Sequence, residues 1–325
     1  MNTQCPICGQ GLNAKPIADY KKYKLHHCAN CDTMFWNPME SIASETYDKY
    51  NVASALTYLN LRTIPWEQKT FLEELPHKGG KLLEIGCSTG EFLKSAREAG
   101  YSVSGIDSAR ETVEFAHSHF GLEEVYPFTV QEFITRKYDE KYDVVVFFQV
   151  LEHLADVPDF MDSVKKILKP GGFIALSVPN RDRWRFSSER FFREKSDLPP
   201  CHLTRWNIPS LVNLFSIYGF SVVSAEVEPL RLYERNWSNF ISQKLGINPL
   251  AEILARKVIS KNEDSHPTLP EQFSLRKTVT KVVGRLYLKA FFPLLAMLTM
   301  PLRVVLRRQG PSIYLLFSLK NQREG

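Results

Sequence analysis

The sequence LLEIGCSTG at residues 82–90 decides the fold of this chain, together with GID at residues 105–107. Its first four residues form a short apolar run of the kind that makes a buried parallel strand, and residues 91–99 continue at helical spacing. Small residues at positions 86, 88 and 90 let the backbone turn closely beneath a ligand. A second strand, Ser102 to Ile106, ends at Asp107, whose carboxylate can accept both hydroxyls of a ribose. The pattern therefore predicts an α/β unit that holds a nucleoside.

Two other kinds of site compete for this turn. A dinucleotide-binding turn requires Gly-x-Gly-x-x-Gly and an exposed helix N-terminus for the pyrophosphate, and Glu91 occupies the position of the third glycine. The string Gly86 to Gly90 also matches the Gly-x-Ser-x-Gly elbow of a hydrolase nucleophile, but that elbow normally follows several strands and here it follows the first. The spacing therefore disfavours both an anionic cofactor and a hydrolase.

The spacing Glu-x-Gly-x-Ser-x-Gly resembles motif I of the class I S-adenosylmethionine methyltransferases, in which glycine usually stands at the position of Ser88. Further segments of that family follow in order from residue 80 to residue 229. They are a fourth strand at 141–148, the Val-Leu-Glu-His-Leu segment at 150–154, a Lys-Pro-Gly-Gly turn at 169–172, a fifth strand at 173–178, an amphipathic helix at 211–218 and a sixth strand at 221–227. Another doubly wound α/β domain remains the alternative. The resemblance implies a Rossmann-like seven-stranded sheet with helices on both faces, and S-adenosylmethionine as the cofactor.

The resemblance also implies the cofactor-binding residues. Asp107 would bind the ribose, with a helix N-cap as its alternative role, and Gln149 would contact the methionine amino group or the acceptor. Whether Gln131 or its neighbour Glu132 faces the adenine is left open. The predicted cofactor set is Glu84, Gly86, Cys87, Ser88, Gly90, Asp107, Ser108, Val130, Gln131 and Gln149.

Two histidines are candidates for the general base that deprotonates an acceptor hydroxyl. His153 lies in the segment after the fourth strand, and His202 lies in the segment Pro-Pro-Cys-His-Leu-Thr-Arg-Trp that begins at residue 199, where this family brings its acceptor loop. Either histidine could instead be structural.

The loops 181–186 and 190–193 contain both basic and aromatic residues, which predicts an anionic acceptor such as a nucleotide-linked or lipid-linked sugar. A solvated loop with incidental aromatic residues is the alternative.

Four of the six cysteines have the spacing of a structural zinc site, two Cys-x2-Cys pairs separated by nineteen residues. The ligands would be Cys5, Cys8, Cys28 and Cys31, which close the tetrahedral shell and leave no position for water or substrate. The sequence therefore predicts a zinc ribbon at residues 1–40 that depends on Zn²⁺ to fold. Cys87 and Cys201 stand outside this centre.

The remaining boundaries follow from composition. We predict a helical linker or cap at residues 41–79, broken at Pro65, and the methyltransferase core at residues 80–229. A helical insertion is predicted at residues 230–310, and the last core strand with a tail at residues 311–325. From residue 272 to residue 323 there are ten Lys and Arg residues and no acidic residue, so this segment has a formal charge of +10. The rest of the chain has 31 basic and 36 acidic residues, and its formal net charge is 31 minus 36, or −5. The basic amphipathic pattern predicts peripheral membrane contact through residues 272–309. A buried lid helix or a dimer interface is the alternative.

The whole sequence predicts an S-adenosylmethionine-dependent enzyme that methylates an oxygen or carbon atom of a small or lipid-linked acceptor, such as a sugar, glycan or secondary-metabolite intermediate. A composition of 44% apolar and 24% charged residues is that of a globular protein, and residues 1–6 lack the features of a secretory signal. We therefore expect a cytoplasmic protein with peripheral contact on the inner face of the membrane. A zinc-ribbon ribosomal RNA methyltransferase is one alternative, disfavoured because no Asn/Asp-Pro-Pro-aromatic signature follows the fourth strand. A non-catalytic adaptor is another.

Overall fold

The computed structural model describes residues 3–12, 15–40, 64–74, 79–136, 141–183, 197–229 and 311–320. The insertion predicted at 230–310, the membrane segment 272–309 within it and the basic aromatic loop beyond residue 183 lie outside the described residues. So do most of the linker residues 41–79. Among the described residues, no helix has the length and apolar character needed to cross a membrane.

The described strands and helices alternate along most of the chain. The strands are β1 (Thr3–Gln4), β2 (Gly11–Leu12), β3 (Ala18–Tyr20), β4 (Tyr23–His27), β5 (Met34–Asn37), β6 (Lys81–Ile85), β7 (Ser102–Ile106), β8 (Val125–Tyr126), β9 (Tyr142–Phe148), β10 (Leu168–Pro179), β11 (Thr204–Arg205), β12 (Phe220–Val227) and β13 (Ser312–Leu319). The helices are α1 (Trp66–Glu74), α2 (Glu91–Glu98), α3 (Arg110–Phe120), α4 (Val130–Arg136), α5 (Val157–Ile167) and α6 (Ile208–Ile217).

Seven strands form one sheet in the order β12-β13-β10-β9-β6-β7-β8. The five strands from β10 to β8 pair in parallel, whereas β13 runs antiparallel to both of its neighbours. The predicted α/β class and the predicted seven-stranded sheet are therefore confirmed. The strand formed by residues 312–319 also takes the place expected of it beside the sixth strand of the sheet.

The sheet is buried on both faces because its central strands are apolar at almost every position. Alternate side chains of a strand point to opposite faces. Accordingly, Leu83, Val145 and Leu176 belong to one core cluster, while Leu82 and Val144 belong to a second. Both clusters are built from residues that are almost fully buried, and the carboxyl ends of the parallel strands remain the open edge at which a ligand can bind.

The Lys-Pro-Gly-Gly segment differs from its prediction as a turn. Residues 169–172 belong to β10, which begins at Leu168 and carries a register shift between Leu168 and Phe173. Lys169 is held by an ion pair of 2.8 Å to Asp143 on β9, and Gly171 supplies a φ of 75°. A bulge in a continuous strand therefore replaces the expected turn.

The cysteine-rich segment packs into the same core as the large sheet. Three of the cysteines, Cys5, Cys28 and Cys31, are at most 2% exposed. They belong to the same hydrophobic cluster as residues of β6 and β10. Its sheet has the order β11-β5-β4-β3, so the short strand β11, which follows β10 in the chain, pairs with β5 of the ribbon. This pairing was not predicted, because the two strands are far apart in sequence. The predicted domain boundaries stay predictions.

Candidate active site

The turn after β6 is closed by backbone bonds and glycines. The N–H groups of Gly86 and Cys87 both donate to the carbonyl oxygen of Ile106, at 2.8 and 3.1 Å, which ties the turn to the end of β7. Gly86 and Gly90 have φ values of 76° and 83°, in the region that favours glycine. A Cβ at Gly86 would lie 2.6 Å from Cγ2 of Val150, so the turn lies directly against the segment that follows β9.

Asp107 lies where the sequence predicted it, at the carboxyl end of β7. Its Oδ2 accepts a hydrogen bond of 2.8 Å from the N–H of Ser88, and its Oδ1 accepts one of 2.9 Å from the N–H of Ala109. The carboxylate therefore joins the glycine-lined turn to the start of α3 and is 7% exposed. The N-cap of α3 is Ala109, and no side chain caps this helix, so the N-cap role weighed for Asp107 is wrong. Ligand contact is compatible with its position at the end of β7.

Three carboxyl groups lie near one another at this turn. Glu84 is 3% exposed, and its Oε2 makes no hydrogen bond among the described residues. Burial raises the pKa of Glu84 well above its usual value, and the negative charges of Asp107 and Glu91 raise it further. A cation bound here would relieve this repulsion, so the electrostatics favour a positively charged ligand.

The remaining predicted cofactor residues have differing surroundings. Cys87 is buried against Gly105, and its Sγ lies 2.9 Å from the position that a Cβ added to Gly105 would take. Val130 is also buried, Ser88 is partly buried and Ser108 is exposed. Gln131 is exposed and donates a hydrogen bond to Asp159. Glu132 accepts hydrogen bonds from the backbone and hydroxyl of Thr129 and so caps α4.

Gln149 belongs to a buried polar chain that the sequence did not predict. Its N–H donates to the carbonyl oxygen of Ser177 at 2.8 Å, and its Nε2 lies 3.1 Å from Oγ of Ser177. That hydroxyl in turn donates to Oε1 of Glu67 on α1 at 3.4 Å. Burial raises the pKa of Glu67. No local pattern could reveal this contact, because Glu67 and Ser177 are 110 residues apart.

His153 and His202 lie side by side, with ring centroids 4.7 Å apart. Nδ1 of His153 lies 2.8 Å from the carbonyl oxygen of Cys201, and Nδ1 of His202 lies 3.1 Å from Oδ1 of Asp197. Since a carbonyl and a carboxylate only accept, each Nδ1 carries the hydrogen and each Nε2 of the neutral rings carries the lone pair. Burial, together with the neighbouring His202, lowers the pKa of His153 to about 4.

Asp197 is a residue of this site that the sequence analysis missed. Its Oδ2 pairs with Arg183 and, at 2.5 Å, with Arg205, while its Oδ1 orients His202. Arg181 is likewise paired, with Asp32 of the ribbon at 2.9 Å. The spacing Asp-x4-His was the available signal for Asp197. A cavity of about 10 Å³ lies beside these groups, lined by Pro179, Asn180, Arg181, Arg183, Asp197, His202, Thr204 and Arg205.

The four predicted zinc ligands converge. Sγ of Cys5 lies 3.8 Å from Sγ of Cys31, Sγ of Cys8 lies 3.7 Å from Sγ of Cys28, and all four sulfurs lie within 4.8 Å of one another. Four thiol groups at these separations match the donor set of a closed tetrahedral zinc site. His26 and His27, which flank the site in sequence, stay outside it: His26 stacks on Phe35, and His27 pairs with Asp32.

A seven-stranded sheet of this order, with a glycine-lined turn and an acidic residue at the ends of its first two parallel strands, defines the class I S-adenosylmethionine-dependent methyltransferases. The family described as "Methyltransferase domain" matches residues 55–225, which is more than half of the chain. The chain belongs to this family.

Individual relatives are distant. Over 167 residues the chain is 31% identical to a ubiquinone biosynthesis O-methyltransferase of Proteus mirabilis (strain HI4320), an alignment that covers 50% of this chain and 66% of the relative. It is 26% identical to the human mitochondrial ubiquinone biosynthesis O-methyltransferase, over 48% of this chain and 46% of the relative. A Geobacter sulfurreducens S-adenosylmethionine-dependent methyltransferase, solved with S-adenosyl-L-homocysteine, has a TM-score of 0.43 at 18% identity and covers 80% of this chain and 92% of its own. The chain thus spans less than two thirds of the length of the two curated relatives.

The residues present fit S-adenosylmethionine. This cofactor carries a sulfonium and an ammonium group, and the site offers Glu84 with an unpartnered buried oxygen and Asp107 nearby. The turn leaves no room for side chains at Gly86 or Gly90, where an added Cβ would lie 2.6 and 2.7 Å from its neighbours. The packing of the turn against Val150 and Leu122 therefore requires glycine at both positions.

We expect cofactor binding to release protons. A positive ligand stabilises the ionised form of Glu84, whose pKa is raised in the free protein, so affinity for S-adenosylmethionine should rise as the pH rises through that pKa. Calorimetry in buffers of different ionisation enthalpy measures the protons released. Glu84→Gln should abolish the release, whereas Glu98→Gln on the exposed surface of α2 should leave it unchanged. Equal proton release by the wild type and Glu84→Gln would contradict this assignment.

Proposed function

We propose that this protein is an O-methyltransferase that transfers the methyl group of S-adenosylmethionine to a hydroxyl group of a small phenolic acceptor, with or without a prenyl tail. When bound, the cofactor supplies an electrophilic methyl carbon. The hydroxyl oxygen forms a bond to that carbon, the carbon–sulfur bond breaks with its electron pair going to sulfur, and the hydroxyl proton is removed by the protein. The chain's own residues hold the two reactants in line, which supplies roughly 7 to 11 kcal/mol.

The contact between Gly86 and Val150 carries this proposal. It brings the cofactor turn against the segment that begins at Gln149 and ends at His153, and the N–H of His153 donates to the carbonyl oxygen of Val150 at 3.0 Å. The histidine pair is therefore one short helical turn away from the residues predicted to hold the cofactor. Such a spacing supports direct transfer between a bound methyl donor and an acceptor lying over the histidines.

The names of the relatives support transfer to oxygen on a ubiquinone-type acceptor, and the paired arginines weaken the argument for an anionic one. Ubiquinone biosynthesis O-methyltransferases are named for transfer to oxygen. The sequence instead favoured an anionic sugar-type acceptor, in part because of arginines such as Arg181 and Arg183. These two guanidinium groups pair with Asp32 and Asp197, so much of their charge is already balanced within the protein.

The test is a methyl-transfer assay with labelled cofactor and matched acceptors. A catechol, a prenylated catechol, a nucleotide-linked sugar and ribosomal RNA would be supplied in parallel to the purified full chain. Label that enters the catechols, and is lost when their hydroxyls are blocked, supports the proposal. Label that enters only the sugar or only RNA would overturn it, and a chain that fails to bind S-adenosylmethionine would indicate the adaptor.

We expect the histidine pair to govern turnover rather than cofactor binding. His202→Ala and His153→Ala should each lower kcat by about 10²- to 10⁴-fold, because proton removal from the acceptor is lost. Affinity for S-adenosylmethionine should stay within a few-fold of the wild type, as measured by calorimetry. His119→Ala, on the exposed surface of α3, serves as the control. Unchanged kcat in both single variants would rule out a role for this pair.

We also propose that the four-cysteine cluster holds a structural Zn²⁺, and that the protein is cytoplasmic with peripheral membrane contact through residues 272–309. The sulfur geometry supports the zinc proposal. The charge of the C-terminal segment, with ten basic and no acidic residues from 272 to 323, supports the membrane proposal. Sedimentation with anionic vesicles tests the latter, and a protein that stays wholly in the supernatant would contradict it.

A further inference from the structure

A second group of metal-ligating side chains lies at the acceptor end of the site. His153, Cys201 and His202 each offer one ligand atom, and these atoms lie within 4.8 Å of one another. Ligand atoms around a tetrahedral zinc ion are separated by about 3.5 Å, so small side-chain rotations would bring the three into one coordination shell. We propose that these residues bind a divalent metal ion of the zinc type, distinct from the ion of the ribbon.

The surroundings of both imidazoles support metal binding. Metal-bound histidines almost always donate their second ring N–H to a carbonyl or a carboxylate, which fixes the tautomer and directs the other nitrogen at the metal. Both arrangements are present, with the carbonyl of Cys201 beside Nδ1 of His153 and the carboxylate of Asp197 beside Nδ1 of His202. Asp197 is itself held by two arginines.

A buried carboxyl group next to the cluster provides a second, independent observation. Glu152 is 1% exposed, and neither of its carboxyl oxygens takes part in a hydrogen bond within the described part of the chain. Its Oε1 lies 3.9 Å from Nε2 of His153. A carboxylate without hydrogen bonds in the protein interior is costly, whereas a neighbouring metal ion would offset its charge. Glu152 is therefore placed to balance the positive charge of an ion held by the other three residues.

The donor set indicates which metal fits and what it would do. Two imidazoles and one thiolate favour Zn²⁺ or a similar borderline ion over Mg²⁺ or Ca²⁺. Three protein ligands leave a fourth position open, as in catalytic zinc sites, whereas the four cysteines of the ribbon close theirs. With both histidines serving as metal ligands in place of a general base, the ion would lower the pKa of an acceptor hydroxyl in that position, so that its proton leaves to solvent and its oxygen attacks the methyl carbon as the carbon–sulfur bond breaks. This catalytic role rests on the proposed O-methyl transfer, but binding of the metal does not.

Metal content tests the proposal without reference to activity. The full chain saturated with Zn²⁺ should hold two equivalents by elemental analysis. His153→Ala, His202→Ala and Cys201→Ser should each hold one, and His119→Ala should hold two. With Co²⁺ in place of zinc, Cys201→Ser should lose one thiolate charge-transfer contribution while the spectrum of the four-cysteine site remains, which also reports that the variant is folded. One equivalent in the wild type, or two in all three variants, would overturn the proposal.

A chelator titration separates this proposal from the proposed function. The open site should lose its metal before the closed ribbon site, and kcat for a catechol should fall at least 100-fold and recover when Zn²⁺ or Co²⁺ is added back. Full turnover by protein holding one equivalent would overturn the catalytic role of the second metal and leave O-methyl transfer standing. Two bound equivalents without transfer to any hydroxyl acceptor would overturn the proposed function and leave the metal site standing.

Discussion

Replacing Asp107 with alanine should weaken binding of S-adenosylmethionine by about 100-fold or more. A carboxylate that accepts two ribose hydroxyls makes two charge-assisted hydrogen bonds, and losing them costs about 3 kcal/mol or more. The same change removes the acceptor of the Ser88 and Ala109 N–H groups, so the turn also loses its link to α3. We expect the free energy of unfolding to fall by about 1 kcal/mol as a result.

Two further variants make this test specific. Asp107→Asn keeps one carbonyl acceptor and should lose less affinity, about tenfold. Asp162→Ala removes an exposed carboxylate from α5 and should change neither affinity nor stability. Calorimetric titration with S-adenosylmethionine and with S-adenosylhomocysteine measures the effect, and thermal unfolding reports the fold. Wild-type affinity in a folded Asp107→Ala protein would show that this aspartate only links the turn to the residue before α3.

Removing the metal that we propose for the ribbon should disable the acceptor site while sparing the cofactor site. A structural zinc ion contributes on the order of 10 kcal/mol to the segment it holds. The double variant Cys28→Ser, Cys31→Ser should therefore unfold the ribbon and release β11, which pairs with β5 and leads directly from His202. We expect kcat to fall more than 100-fold, with affinity for S-adenosylmethionine changed less than tenfold, because the cofactor turn lies on β6 and β7.

Limited proteolysis gives an independent measure of this effect. New cleavage within residues 1–40 should accompany the loss of turnover, and the cut sites should extend to the segment around β11. Lys22→Ala, which removes an exposed ion pair with Glu40 on the same ribbon, should remain resistant to protease and fully active. A double cysteine variant with wild-type turnover and wild-type protease resistance would contradict the proposed link between ribbon and acceptor site.

Local patterns predicted the parts of this protein that depend on contiguous sequence. The apolar run at 82–85, the small residues of the turn after it and Asp107 each act through neighbours along the chain, so their spacing was sufficient. The cysteine pairs behave in the same way, because the donor spacing of a zinc knuckle is itself local.

The missed features depend on contacts between distant segments. Glu67 meets Ser177, and β11 meets the ribbon, only once the sheet has formed. The basic aromatic loop predicted an anionic acceptor because composition reports charges but not their partners. The structure pairs Arg181 and Arg183 with aspartates. Counting charges cannot distinguish an arginine that is available to a ligand from one that already forms an ion pair within the protein.

The position of β13 makes folding of the core depend on the last described strand. β13 lies between β12 and β10, and five of its eight residues are almost fully buried. Until it arrives, β10 and β12 both present unpaired edges, which are templates for association with other chains. During synthesis, both edges stay unpaired until the residues between Val227 and Ser312 have been translated. The two ends of that segment must then come together before β13 can pair with β12 and β10. Chaperone demand and misassembly should therefore be greatest in that interval.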